Sequence, residues 1–460
     1  MYNNSLFLIL PFIYFTPNHL FAPERISFGN ELSSFSAYAD RVKHIVLQHD
    51  IVAHDGHVGK LAIALPKLRS LRLSMTKSTL PLSLLQNLSN LDTADFSLGF
   101  KSRPPSSEEI LCLRFREIAQ LSTRLRNLRL RGSIPASVNV SLCQMTALQS
   151  VSLRLGNTMS VDVLAALGTF PSLSTLEVHA GHLSTDAVRV LMDDKSNLFP
   201  VLTKLYIRAK SSFVELFVSY LSTTTLQHLH VELDDERPFA DTWTSILQRV
   251  SSKASASLQH LDLEHHYNLD DIQQNSTPNT VATTPPPQGT LQHLPSITLG
   301  DVGFLRSAKR LRHFSCNLTI PPSLSDSDFE QVLSWWPQLE HLDLGPLPDR
   351  ELSPSITISP SSKVISMVTE KASQLLYLSV PCSLDDTFCR QSGPTGNTSI
   401  PHNRLKNLTV SAITTTDPTQ MARCLLHLLP SLQTLECIEP GDHGVESLIP
   451  NLNSPGVQVG

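Results

Sequence analysis

A Leu-x-x-Leu-x-Leu phrase recurs along nearly the whole chain. It reads Leu68, Leu71 and Leu73, then Leu125, Leu128 and Leu130, then Leu258, Leu261 and Leu263, then Leu339, Leu342 and Leu344. Degenerate copies lie between. Leu-x-Leu has period two, so both leucines fall on one face of an extended strand. One such strand cannot bury its apolar side alone. Stacked in parallel, many copies share a continuous core and pair their backbone amides. About fifteen such anchors run from Val42 to Leu432 at a mean spacing of about 28 residues, inside the range of roughly 20–29 typical of strand-plus-helix repeats. Leu294 and Leu311 are too close together for both to open a full repeat.

The other half of each repeat carries a helical pattern. Ser160–Leu167 and Thr185–Met192 place apolar residues at helical spacing behind a Ser or Thr suited to capping, and Phe213–Leu221, Trp243–Val250, Phe329–Trp335, Val364–Ala372 and Met421–Leu428 read alike. Proline often stops the helix before the next strand, as in Phe170-Pro171, Phe199-Pro200, Trp336-Pro337 and Leu429-Pro430. The unit is strand, loop, helix, Pro, strand. This array resembles the leucine-rich-repeat family. That resemblance implies an α/β solenoid, a horseshoe with a parallel sheet on the concave side and helices on the convex side. Many members set an Asn or Cys ladder after the strand. No regular ladder of that kind occurs here, which points to an irregular intracellular subfamily. The phrase leucines read as core, and none is a functional candidate.

Net charge of −5 and a pI near 6.4 leave no basic footprint for nucleic acid. Cys112, Cys143, Cys316, Cys382, Cys389, Cys424 and Cys437 are dispersed, which suits a reducing compartment, cytoplasmic or nuclear. Residues 1–30 are atypical, and residues 31–460 read as one irregular solenoid. Leu6–Phe15 is strongly apolar but shorter than the roughly 20 residues a membrane span needs. It reads as the apolar part of a signal segment, which would mean secretion, or as an apolar cap. Gln273–Gln288, within an insertion near 271–290, is Thr- and Pro-rich and is expected to be a disordered loop. Lys101–Glu109, Pro346–Ser362 and Arg390–His402 are expected to be shorter loops of that kind.

The start of the array narrows the resemblance. Phe35–Leu47 reads FSAYADRVKHIVL, Leu65–Leu73 reads LPKLRSLRL, and Asp417-Pro418 leads through Leu425 to Leu429-Pro430-Ser431-Leu432. Over roughly residues 35–440 these phrases resemble fungal, basidiomycete-type F-box proteins with leucine-rich repeats. The F-box itself is not visible in the residues ahead of Phe35. The resemblance implies a substrate receptor of a Skp–cullin–F-box ubiquitin ligase, with a protein client and a Skp-type adaptor where an F-box is present. The alternatives are a stand-alone repeat scaffold or GTPase regulator, and a secreted recognition protein.

Chemistry is sparsely signalled. There is no Gly-x-Ser-x-Gly and no Gly-x-x-x-x-Gly-Lys-Ser/Thr. No enzyme activity, cofactor or metal is expected. Histidine clusters at His54/His57 and at His265/His266 lack the partner ligands a metal site needs. The Leu-(Gln/Glu)-His-Leu phrases at Leu226, Leu258, Leu291 and Leu339 set His at a variable position beside the strand. Acidic pairs at Asp193-Asp194, Asp234-Asp235 and Asp385-Asp386 read as solvated loop ends. A binding surface is expected on the residue between the last two leucines of each phrase. That residue faces outward in the series Arg72, Asp95, Arg129, Ser152, Glu177, Tyr206, His230, Asp262, Thr298, Ser315, Asp343, Ser379, Thr409 and Glu436. Arg72, Arg129, Glu177, Tyr206, His230, Asp262, Asp343 and Glu436 are the candidate partner contacts. Their mixed charge suits a protein rather than nucleic acid, and no membrane span is expected.

Overall fold

The computed structural model describes residues 42–47, 63–74, 85–86, 88–101, 103–195, 197–222, 225–236, 241–267, 296–345, 360–391 and 403–438, with Val445 and Ile449. Leu6–Phe15, the His54/His57 pair and the 271–290 insertion lie outside them. So do residues 346–359 and 392–402 of two expected loops. The chain is α/β, with parallel strands alternating with helices, and it divides into two compact units. Among the described residues no helix is long and apolar enough to cross a membrane.

The first unit covers residues 1–203 and 220–222. Its strands are β1 (His44–Leu47), β2 (Ile63–Ala64), β3 (Ser70–Ser74), β4 (Leu85–Gln86), β5 (Thr93–Gly99), β6 (Asn127–Gly132), β7 (Ser150–Arg154) and β8 (Thr175–His179). β1, β3 and β5 to β8 pair side by side, all parallel, and β2 pairs with β4. The second unit carries β9 (Lys204–Ala209), β10 (His228–Leu233), β11 (His260–His265), β12 (His313–Leu318), β13 (His341–Asp343), β14 (Tyr377–Asp385), β15 (Asn407–Thr414) and β16 (Thr434–Cys437). They too pair in sequence order and in parallel.

The period-two leucines explain these strands. Leu71 and Leu73, Leu128 and Leu130, Leu229 and Val231, and Leu261 and Leu263 are all buried. The residues between them are half-buried or exposed. Each buried aliphatic side chain stabilises the fold by about 1.5–3 kcal/mol. The helices cover the leucine face. Val163, Leu164 and Leu167 bury one side of the helix Val161–Leu167, and Phe213, Val214, Phe217 and Val218 do so for Ser211–Tyr220. Trp336 and Leu429 end their helices with ψ of 77° and 70°, outside the α region, because the following proline clashes with a helical predecessor. Trp336 is buried, and its indole N–H donates to the Leu305 carbonyl at 3.1 Å.

Expectations of two kinds, loops and an outward strand residue, are corrected here. Lys101–Glu109 is not one continuous loop, because Pro105 opens a helix of 17 residues, Pro105–Leu121. Proline is tolerated in the first helical turn, where its missing N–H would have no partner, and Glu108 adds a favourable charge there. Leu111, Phe115 and Ile118 form its buried stripe, with the Phe115 ring 5.2 Å from that of Phe96. This helix fills the long interval between Leu91 and Leu125. In the same way, Arg390 belongs to a short helix, Asp386–Gln391, rather than to the loop expected from Arg390 onward.

The second correction is Thr298. It is no outward strand residue but the N-cap of the helix Leu299–Gly303. The Asp301 carboxylate accepts from the Thr298 backbone N–H at 2.8 Å, a capping box in which Thr-x-x-Asp overrides the period-two pattern. Of the two crowded anchors, Leu311 precedes the true strand, β12.

Candidate functional site

Strand register gathers the expected contact residues into rows. In the first unit Arg72, Asp95, Arg129, Ser152 and Glu177 lie directly beside one another on β3, β5, β6, β7 and β8. Arg72 Nε is 3.1 Å from Asp95 Oδ2, and Arg154 pairs with Glu177. Arg129 is exposed, with Arg131 two residues on along the same face. Burial opposes ionisation of Glu177, but hydrogen bonding and the charges of Arg154 and Arg129 outweigh it and hold its pKa below the usual carboxylate range.

In the second unit the equivalent row is Tyr206, His230, Asp262, Ser315, Asp343, Ser379, Thr409 and Glu436. Every candidate contact therefore sits in its unit's row. The row is cross-linked. The Tyr206 ring lies 4.4 Å from His230, and its hydroxyl donates to Glu232. His230 Nε2 is 3.2 Å from Glu264, and His313 Nε2 is 2.9 Å from Asp262. Asp343 accepts from the Gly345 N–H at 3.0 Å, and Glu436 accepts from the Thr409 hydroxyl at 3.4 Å.

A second row, two residues earlier on each strand, was not among the expected contacts. It runs Lys204, His228, His260, His313, His341, Tyr377, Asn407 and Thr434. Five of these rings stack into a ladder. Successive centroids are 4.1, 5.5, 3.9 and 4.2 Å apart from His228 to Tyr377, with interplanar angles of 26° or less. The signal was the repeated Leu-(Gln/Glu)-His-Leu phrase, in which the His is the first residue of β10, β11 and β13. Burial and the Lys204 charge lower the pKa of His228. Burial together with the neighbouring imidazoles lowers that of His260, and brings His341 down to about 4. Burial raises the Tyr377 hydroxyl. The neutral forms of His228, His260, His341 and Tyr377 are thereby favoured near pH 7.

A third row, two residues further along, begins Arg208, Glu232, Glu264 and Asn317. Arg208 is 2.7 Å from both Glu232 and Asp234. Burial alone would lower the Arg208 pKa, but these two carboxylates raise it.

His265 and the acidic pairs make contacts that the sequence does not signal. His265 is the last residue of β11, only 2% exposed, with Nε2 2.9 Å from the Asp235 carbonyl. It is a packed strand residue. Among the described residues no group of three or more His, Cys, Asp or Glu is arranged to hold a metal ion. The acidic loop residues tie neighbouring repeats together. Asp235 accepts from the Ser211 N–H at 2.7 Å, at the start of the helix Ser211–Tyr220. Asp386 accepts from the Thr415 and Thr416 hydroxyls at 2.6 and 2.7 Å, and Asp193 accepts from Tyr220. Asp326, outside those pairs, accepts from the Ser361 N–H at 2.6 Å. These carboxylates thus bridge neighbouring repeats. A shallow recess of about 220 Å³ lies where the strands begin, lined by Gln259, Arg310, Arg312 and Gln338.

Among the described residues the arrangement offers in-register rows of polar side chains. No family model and no curated protein matches this chain.

Proposed function

We propose that this chain is a leucine-rich-repeat scaffold that recognises a protein partner through the outward rows of its strands. The concave face of the horseshoe carries those rows, and the helices form its back. The observation that supports this reading is the register itself. Residues about 25–50 positions apart in sequence are aligned side by side as a polar strip. Such a strip offers many weak contacts over a large area, which suits a macromolecular partner. By resemblance to F-box proteins, the partner is a client presented to a ubiquitin ligase through a Skp-type adaptor. The dispersed spacing of the cysteines supports a cytoplasmic or nuclear setting.

Two measurements test the two parts. Purified full chain and purified Skp-type adaptor are run together on size exclusion; separate elution at micromolar concentrations sinks the ligase part. Cross-linked partner capture is then compared between the native chain and an Arg129→Glu/Glu436→Lys variant. Partners lost from the variant support the scaffold, and an unchanged set refutes recognition through the strand rows.

A further inference from the structure

The second unit's outward face is acidic despite its histidines. Among the described residues of its three rows, the lysine and the arginine both lie on β9, as Lys204 and Arg208. Arg208 is already held between Glu232 and Asp234. From β10 to β16 the charged side chains of the rows are Glu232, Asp262, Glu264, Asp343 and Glu436, together with the imidazoles. The imidazoles of His228, His260 and His341 do not cancel these charges. His228, His260, His313 and His341 stand face to face at 3.9–5.5 Å, a spacing at which neighbouring positive charges repel strongly. Burial reinforces this for His228, His260 and His341. The ladder is a planar wall beside a line of carboxylates, and burial favours the neutral form of its His228, His260 and His341 rings. Just outside the rows, Arg312 lies 3.7 Å from Glu340, so that arginine too is paired.

We propose that this face takes an extended, lysine- and arginine-rich segment of a partner protein, laid across the strands from β10 to β16. The inference rests on the scaffold reading and names the chemistry of its partner. Carboxylates on β10, β11, β13 and β16 receive the cationic heads, and the ring ladder flanks the aliphatic stems. The length follows from sheet geometry. Six strand steps of about 4.8 Å make roughly 29 Å, which an extended chain at about 3.3 Å per residue crosses in about nine residues. From β11 to β13 the carboxylates are about three residues of such a chain apart, and from β13 to β16 about four.

The test uses the purified full chain and two fluorescein-labelled peptides of about nine residues, one alternating Arg with Ser and one alternating Glu with Ser. Binding is read by fluorescence anisotropy at pH 7.5. The basic peptide is expected to bind, and the acidic one to fail. Its Kd is expected to rise about tenfold between low and physiological salt. Asp343→Asn with Glu436→Gln, which keep size and hydrogen bonding, should weaken binding about three- to tenfold. Glu109→Gln with Glu370→Gln, on the helices Pro105–Leu121 and Lys363–Lys371, removes the same charge elsewhere and should leave binding unchanged. A thermal melt of each double variant confirms the fold. The inference is overturned if the basic peptide does not bind at low salt. It is also overturned if both double variants weaken binding equally, since the peptide then feels only the net charge of −5. Failure of the peptide while partner capture still depends on the strand rows removes this inference and leaves the scaffold standing. Capture indifferent to the rows removes the scaffold, whatever the peptide does.

Discussion

His313 on β12 and Asp262 on β11 meet with Nε2 2.9 Å from Oδ1, joining the ring ladder to the acidic row. Burial alone would raise the Asp262 pKa, but the His313 hydrogen bond and the charges of His313, His230 and His260 hold it below its ordinary 3.8. Replacing Asp262 by Ala leaves the half-buried imidazole of His313 short of an acceptor. The expected loss is about 1–2 kcal/mol near neutral pH. A carboxylate with a depressed pKa stabilises the fold above its unfolded value, and that gain disappears as pH falls through the folded value. Urea denaturation of both proteins at pH 7 and below pH 3.8 should show the difference shrinking in acid. An undiminished difference contradicts the assignment.

His341 sets a second pH window. Burial and the nearby His313 bring its pKa down to about 4 from 6.5. The neutral ring is favoured in the fold, so the unfolded chain takes up the proton first. Stability is therefore complete above pH 6.5 and falls as pH drops towards about 4. His341→Phe keeps a flat ring against Tyr377, whose centroid is 4.2 Å away, and removes the titration. The variant should have a shallower stability profile across this window, followed by urea midpoints at half-unit pH steps. Parallel profiles for the two proteins would refute a neutral His341 ring.

Much of the strand half was legible because it depends on local alternation. Leu128 and Leu130 bracket Arg129, and that triplet alone states which side chain faces out. The row could be written down before register was known, and only Thr298 departs from it. There a local capping box competed with the same alternation, and the backbone followed the hydrogen bonds. The Pro105 helix is not legible locally, because Pro-Pro-Ser-Ser punctuates loops as readily as it opens helices. The ring ladder lay beyond local reasoning. His260 and His313 are 53 residues apart, and the chain between them includes the long insertion, so their stacking depends on how the repeats align laterally. The cross-repeat role of Asp235 was hidden for the same reason. Its partner Ser211 is 24 residues away, at a helix end whose orphan N–H groups need an acceptor from somewhere.

Glycine is required where loops of neighbouring repeats touch. Gly132 has φ +114°, and a Cβ there would stand 2.2 Å from the Gly99 carbonyl oxygen. Gly345 has φ +93°, with the Cys316 carbonyl oxygen at 2.1 Å. Backbone cannot yield as a side chain does, so Gly132→Ala and Gly345→Ala should each cost about 2–4 kcal/mol. Gly300→Ala serves as the control. It sits in a short helix with Thr298 Oγ1 3.5 Å from the added methyl, so it should be neutral or stabilise by up to about 1 kcal/mol. Thermal or urea unfolding ranks the three, and a loss at Gly300 as large as at Gly132 contradicts the steric account.

Asp235 tests whether acidic loop residues hold the repeats together. Its two carboxylate oxygens accept from Ser211, one from the backbone N–H at 2.7 Å and one from the hydroxyl at 3.2 Å. The helix Ser211–Tyr220 thereby receives its N-terminal cap from the following repeat rather than from its own loop. Helix start and neighbouring strand end are thus coupled. Asp235→Ala removes the cap charge and leaves a part-buried N–H unanswered, at an expected cost of about 1–2 kcal/mol. Asp235→Asn keeps an acceptor and loses the charge, so it should fall between. The coupling also makes the loss local. Amide hydrogen exchange should quicken in the first turn of that helix, around Phe213 and Val214, and around Asp234 where β10 ends. Faster exchange confined to the Asp235 loop, with Phe213 and Val214 still protected, would show that the helix caps itself and that the carboxylate is only solvated.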